Sequence, residues 1–478
     1  MNEQAKKVLR VGVVSGISTL DPRLAADGTT SMVLRQVFEP TIEIVSAFTS
    51  PEPRLFSSFE SDPSNRIFKG KIREDLKFSD GTPLDVEIVV RSLNKTDVVT
   101  QRARVEAAGG DTVVFTLDEP HPNFDILLSM SHCAVVHDQG NRLLGTGAFM
   151  LEEGTTARDL ESTGTIRLVR NPHYDGLVWL DEIVFSYYPT DQDGRASRLL
   201  GAMEKGEVDL TIDLTSSDAH DLDLSKFHPS IQPGNSLGFL FFNVERITDV
   251  RHRRAIALAL DRAKVAEKSF DRNPIAYVGR NVLPPMMSRD PEMFSLSRRE
   301  AEKLFEEAGR PGSLSMIIPW APRPYAPNPR PMAEEIAAQL KECEIEIDIV
   351  STSSGEDFFT RAGRGEFDLA MAGWIADSPD PADFLLALFH STSVPKGSTA
   401  VSSINLARYR DPEMDRALAE YRLDPSEENK KTVLDLATEN VVLVPLVTSQ
   451  NVAVYSRRVR NFRPSPAGAP VLVKIDLD

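Results

Sequence analysis

At 478 residues the chain is too long to gather its apolar residues around one core, so two or three lobes are expected. Hydrophobic residues make up 41% and charged residues 26%, the composition of an ordinary globular protein. A net charge of −17 argues against a nucleic acid or an anionic membrane surface as partner, and no uncharged apolar stretch is long enough to span a bilayer.

The first residues, "MNEQAKKVLRVGVVSG", carry two lysines but no apolar segment before the first strand, so no secretory signal is legible. Two locations stay open. The protein is periplasmic or extracellular and membrane-associated after removal of a leader, or it is cytoplasmic. Next, "VLRVGVVSGISTLDP" gives a strand over Val8 to Val14 that ends in a Ser/Gly turn. "RIFKGKIREDLKFSDGTPLDVEIVVRSL" reads as two short strands, a tight turn and a helix, and "DTVVFTLDEP" as another strand. In "SHCAVVH", His132, Cys133 and His137 are soft metal ligands, but an apolar run flanked by histidines is ordinarily strand and no fourth ligand at zinc-site spacing follows. Cys133 and Cys343 are far apart in sequence, which favours two free thiols over a disulfide.

"IRLVRNPHYDG" and "DEIVFSYYPT" pattern as paired strands, and "DGRASRLLGAMEKGEVDLTIDL" as a helix stopped near Gly206 and then a strand. After "SLGFLFFNVE" longer helices alternate with strands. "DVRHRRAIALALDRAKVAEKSF" places Val250, Ile256, Leu260 and Val265 on one face of a single helix, and "SRREAEKLFEEAG" ends at Gly309 as a left-handed cap. Strand "SLSMIIPW" leads through a proline-rich loop into a helix that starts with Pro331 in its first position. "IEIDIV" is a half-exposed strand, "EFDLAMAGW" a further strand, and "PSEENKKTVLDLATENVVLVPLV" a helix and a strand. "NVAVYSRRVRNFRPSP" is strand-like again, returning to the first lobe. Strands alternating with helices imply α/β lobes with covered sheets.

Two loops leave the carboxyl ends of strands, where open α/β sheets bind ligands. They are "WAPRPYAPNPRPM" and "GWIADSPDP". Prolines at 322, 324, 327, 329 and 331 are expected to hold the first loop extended, so that it presents Arg323 with little entropy left to lose. Trp374 and Tyr325 supply aromatic walls. If the two strands are neighbours, Arg323 and Asp377 face one crevice with opposite charges. Such a pair suits a zwitterion: the ends of an extended dipeptide lie about 7 Å apart, Arg pairs bidentately with a carboxylate, and Asp accepts from an ammonium. The plainer readings are that Asp377 caps a helix, although Asp380 is better placed for that, and that Arg323 is a surface residue.

Together "SGISTLDPR", "IREDLKFSDGTPLDVEIVV", "GTGAFML", "RNPHYDG", "LGFLFFNV", "DVRHRRAIALALDR", "NVLPPMM", "AEKLFEEAG", "GWIADSPDPADF" and "VPLVTSQNVAVYSRRVRNF" resemble the extracellular solute-binding proteins of family 5, the dipeptide, oligopeptide and nickel receptors of ABC importers. The resemblance implies a type II periplasmic-binding-protein fold, with two lobes around a ligand cleft. Lobe I would take residues 1–238, with an extra subdomain over about 45–150, lobe II 239–440, and residues 441–478 would return to lobe I. It places the α-amino-binding aspartate on Asp377 and the carboxylate-binding arginine on Arg323. The peptide backbone would meet Gly373, Trp374 and Ile375, and Ser15, Gly16 and Ile17 would approach from lobe I. The family's longer insertion between "VRSLNKTD" and "DTVVFTLDEP" is nearly absent here, so contacts from that region do not carry over.

The function implied is a receptor for a di- or short peptide that closes two lobes over its ligand and delivers it to an ABC importer permease. No cofactor or bound metal is expected, and the chain is expected to be a monomer. The alternatives are a cytoplasmic sensor or carrier with the same fold, or a hydrolase acting on a peptide-like substrate. Against the hydrolase, the chain has no HExxH, no G-x-S-x-G, no Walker A and no dinucleotide fingerprint, and its 8 histidines are scattered.

Overall fold

The computed structural model describes residues 6–25, 27–44, 51–140, 142–191, 195–214, 218–219, 222–269, 278–285, 287–376, 380–395, 404–465 and 470–478. The chain forms two compact units, Met1–Gln232 with Asn451–Asp478, and Pro233–Gln450.

Unit 1 opens with β1 (Val8–Val13). A four-stranded antiparallel sheet follows, built from β2 (Phe56–Ser61), β3 (Ile67–Ile72), β4 (Ala103–Ala107) and β5 (Thr112–Leu117) in the order β2-β3-β5-β4. In β3 every second side chain is buried, and Phe68 and Ile72 join Phe56, Phe115 and the helix Val86–Leu93 in a core of their own. The chain then forms β6 (Phe149–Leu151), β7 (Thr165–Arg170), β8 (Glu182–Tyr187) and β9 (Leu210–Thr211). These line up as β6-β7-β8-β1-β9, with β1 parallel to both β8 and β9. Leu9, Val11 and Val13 face one core with Ile166, Leu168, Ile183 and Phe185.

Unit 2 is built on β10 (Phe227–Phe242), β11 (Leu314–Ile318), β12 (Ile347–Ser351), β13 (Leu369–Ile375) and β14 (Leu443–Ser456). Strand β10 enters it from unit 1, and β14 leaves it to pair with β9 through Leu210↔Tyr455 and Thr211↔Val454. Within the unit the order is β14-β10-β13-β11-β12. Strands β10 and β13 are buried on both faces over Leu237–Phe242 and Leu369–Ala372, which explains the apolar runs "LGFLFF" and "LAMA". Leu237, Phe239, Phe241, Ala370 and Ala372 lie in one core, whereas Leu240, Phe242, Leu369 and Met371 lie in the other.

Several expectations change. The segment 250–269 is two helices, Val250–Ala259 and Arg262–Ser269, and Val250 is exposed. Leu260 is extended between them, and the Asp261 N–H, instead of closing a helical turn, donates to the buried Gln339 Oε1 at 2.7 Å. A tertiary partner has replaced a helical one. The helix expected from Pro331 starts at Pro329, behind Asn328, whose side-chain amide donates to the Ser269 carbonyl at 3.1 Å. Gly309 ends its helix with φ 77° and ψ 170°, a positive-φ extended residue rather than a left-handed helical cap.

"SHCAVVH" is not one strand. Ser131–Cys133 is a 3-10 turn, and only His137 enters a short strand, His137–Asp138. The Cys133 thiol is fully buried and donates to the Leu127 carbonyl at 3.2 Å, while the His137 ring packs edge-on to Phe78. Among the described residues no group of three His, Cys, Asp or Glu is placed to hold a metal. Both cysteines are free. Burial pushes the Cys133 thiol up to about 12 and raises that of the half-buried Cys343 as well. Because the thiolate is the reactive form, burial leaves Cys133 unreactive at pH 8. Iodoacetamide at pH 8 should therefore modify Cys343 in the native protein and Cys133 only after unfolding, as read by peptide mass spectrometry.

Candidate functional site

Strands β11 and β13 are parallel neighbours through Met316↔Leu369 and Ile317↔Ala370, so the loops after them leave the same edge of the unit 2 sheet. On its other side β13 pairs antiparallel with β10, from Phe242↔Leu369 to Ser236↔Ile375. The two ladders differ in length. That to β11 stops at Ala370, whereas that to β10 runs to Ile375 and is extended by the Ala376 N–H donating to the Asn235 carbonyl at 2.9 Å. From Ala372 to Ile375 the strand keeps one edge that β11 does not cover.

The loop after β11 is not extended. Arg323 and Ala326 exchange backbone hydrogen bonds of 3.0 and 2.9 Å, which closes a tight turn over Pro324 and Tyr325. Proline in the second position of a four-residue turn fixes φ where the turn needs it, so the proline-rich composition here folds the chain back. Tyr325 fills a space that two glycines leave. A Cβ on Gly373 would lie 2.3 Å from the Tyr325 Cγ, and one on Gly238 would lie 2.2 Å from the Tyr325 carbonyl oxygen. The two glycines are directly paired, Gly238↔Gly373, on β10 and β13. The phenol of Tyr325 is half-buried and its pKa is raised by that burial, with the Arg323 guanidinium pulling in the opposite direction.

Arg323 stands over an aromatic face, its guanidinium carbon 3.9 Å from the Trp320 ring centre. Trp320 is braced by Phe358 and Phe359, at ring separations of 6.3 and 6.5 Å, from the helix Gly355–Arg364. The Nε of Arg323 is buried without a hydrogen-bond partner, and among the described residues no carboxylate pairs with this arginine. A cation fixed by stacking and left without a counter-ion can receive an anionic group at little conformational cost.

Asp377 lies outside the described residues. The helix cap that was its plainer reading is supplied by Asp380, which accepts from the Ala382 N–H at 2.9 Å ahead of the helix Pro381–Phe389. Trp374 is half-buried against the core and Ile375 is exposed at the strand tip. In unit 1, Ser15 is exposed just beyond β1, and Gly16 is half-buried, with the Glu161 carboxylate 2.3 Å from where a Cβ would stand. The side chain of Ile17 is in the unit 1 core, so only Ser15 and Gly16 of that turn have surface to offer.

The structure thus gathers Arg323, Tyr325, Gly373, Trp374 and Ile375 at one sheet edge. It adds Trp320, Gly238 and Asn235, which sequence reasoning did not assign to the site. For Gly238 a signal existed, because a glycine inside an apolar strand marks close approach by another chain segment. Nothing in the sequence pairs Trp320 with Arg323.

A family description, bacterial extracellular solute-binding proteins, family 5 Middle, matches residues 50–396. Among named proteins, the chain is 26% identical to the probable di/tripeptide-binding protein 5 of Pseudomonas aeruginosa, over 76% of this chain and 70% of that one. It is 25% identical to heme-binding protein A of Haemophilus influenzae, over 96% of this chain and 90% of that protein. Among solved structures, HbpA2 from Haemophilus parasuis superposes with a TM-score of 0.87 at 22% identity, covering 98% of this chain and 100% of the other. The fold is the type II periplasmic-binding-protein fold.

Gly238→Ala should cost about 1–3 kcal/mol, because its Cβ meets backbone that has to shift. Urea denaturation of variant and parent checks this. An unchanged midpoint would mean that the turn over the two glycines carries no stability.

Proposed function

The chain belongs to the bacterial extracellular solute-binding proteins, family 5, and on that premise we propose that it is a receptor for a di- or short peptide that serves an ABC importer. The observation that carries this reading is the meeting of a strand tip that β11 does not pair with, Ala372–Ile375, and the guanidinium of Arg323, which has no carboxylate partner among the described residues. An extended peptide adds to such an edge through backbone hydrogen bonds, which read length and direction but not side chains. Gly373, Trp374 and Ile375 are then the backbone contacts, and Arg323 takes the terminal carboxylate as a bidentate pair. Asp377, two residues beyond the strand, is assigned to the α-amino group by the family resemblance. The name of the Pseudomonas relative supports a peptide ligand.

Family members are binding proteins, and we assign no catalytic residue. The family is extracellular, so we place the chain in the periplasm or on the outer face of the cell. Among the described residues no helix is long and apolar enough to cross a membrane. A second reading comes from the Haemophilus relative named for heme, which aligns over more of the chain than the peptide-binding one. Native mass spectrometry of gently purified protein separates the two by the mass of the co-purified ligand.

Arg323→Ala should weaken binding of peptides with a free C-terminus at least tenfold (about 1.4 kcal/mol or more) and spare C-terminally amidated ones. Equal loss for both, measured by calorimetry, rejects the carboxylate role. Asp377→Ala should cost roughly 2–5 kcal/mol of affinity for a peptide with a free amine and much less for its N-acetylated form.

A further inference from the structure

A second concave site lies wholly within unit 1. It is a pocket of about 430 Å³ lined by Leu177, Trp179, Asn461, Phe462, Arg463 and Lys474. That volume is within the range of small-molecule sites, which combine apolar walls with a few convergent polar groups. The walls are firmly mounted. Arg170 on β7 donates to the Leu180 carbonyl at 2.8 Å and pairs with Asp181 at 2.8 Å, which fixes the segment that carries Leu177 and Trp179. Phe462 packs on Tyr455 at the end of β14, with ring centres 5.0 Å apart. Asn461 adopts φ 61°, a left-handed conformation that asparagine tolerates and that turns the chain sharply before Phe462 and Arg463. Lys474 stands next to Ile475, which is buried in the unit 1 core.

Two features of this pocket lack an explanation in the fold. Leu177 and Trp179 are large apolar side chains left 69% and 46% exposed, although the core of unit 1 is well filled. In addition, Arg463 and Lys474 have no acidic partner among the described residues of a chain whose net charge is −17. Unpaired cations are easily neutralised in so acidic a protein, and two of them beside one aromatic wall form a cationic rim on an apolar pocket.

We propose that this pocket is a separate binding site for a small organic anion with a flat apolar body, such as an aromatic carboxylate. The ring of the ligand lies against Trp179 and Phe462, Leu177 closes one side, and the carboxylate is held between Arg463 and Lys474 with the Asn461 amide in reach. Aromatic stacking supplies affinity, and the two cations supply selection for negative charge. This site does not depend on the peptide-binding reading, since it shares no residue with the edge of β13.

The test is a calorimetric titration of the full chain with indole-3-acetate, indole-3-acetamide and tryptamine, three probes of similar shape carrying negative, zero and positive charge. The acid should bind at least tenfold tighter than the amide, and tryptamine more weakly than either. The double variant Arg463→Glu with Lys474→Glu, which alters only exposed side chains, should lose the acid at least tenfold and keep the thermal unfolding midpoint of the parent. Trp179→Ala should weaken acid and amide alike. The proposal fails if the acid does not bind, if the three probes bind equally, or if the double variant binds the acid as the parent does.

Discussion

Tyr325 occupies a space that exists only because Gly238 and Gly373 have no side chains and face each other across an antiparallel ladder. Everything at the edge of the unit 2 sheet follows from that contact. With Tyr325 seated, the turn from Arg323 to Ala326 is pinned onto β10 and β13, and Arg323 is brought back over Trp320. A methyl group at either glycine would drive the turn off the sheet. The guanidinium would then be carried on a loose loop rather than on a braced one, and the entropy of ordering it would have to be met at each binding event.

The rigidity of the mount comes from burial on both faces. Strands β10 and β13 alternate their side chains between two cores, and the side that carries Ala370 and Ala372 shares its core with Phe384, Leu385 and Leu388 of the helix Pro381–Phe389. A sheet packed in this way has few alternative arrangements, since shifting its register by one residue would exchange the occupants of both cores. The strand tip from Ala372 to Ile375 therefore holds its shape even though β11 does not cover it. Such an edge is ordinarily a hazard, because it invites pairing with any extended chain. In the proposed peptide receptor the same property serves the ligand.

Charge has a different role in the two units. In unit 2 the Arg323 guanidinium is set on an indole and has no counter-ion among the described residues, so its charge is left available to a ligand. In unit 1 the half-buried Arg54 is already paired, linking Glu39 and Asp175 at 2.8 and 2.7 Å, with Asp175 also held by Arg73. That network fastens the segment after β1 to the four-stranded sheet, and its cations are already held by carboxylates. The contrast shows why counting arginines cannot locate a site. What matters is whether the donors are already satisfied.

The alternation of strands with amphipathic helices determined the α/β class, because hydrophobic periodicity is a local property of the backbone. The sequence likewise marked the two loops that carry Arg323 and the Gly373–Ile375 tip, since each directly follows a strand. Three features were decided by tertiary structure alone. The helix across Asp261 is broken because Gln339, 78 residues away, accepts its N–H. The proline-rich loop turns back because two glycines in other strands leave room for Tyr325. Arg323 stacks on Trp320 because Phe358 and Phe359 hold that indole in place. In each case the deciding partner is distant in the chain, and local propensity holds no information about a partner that only folding brings near.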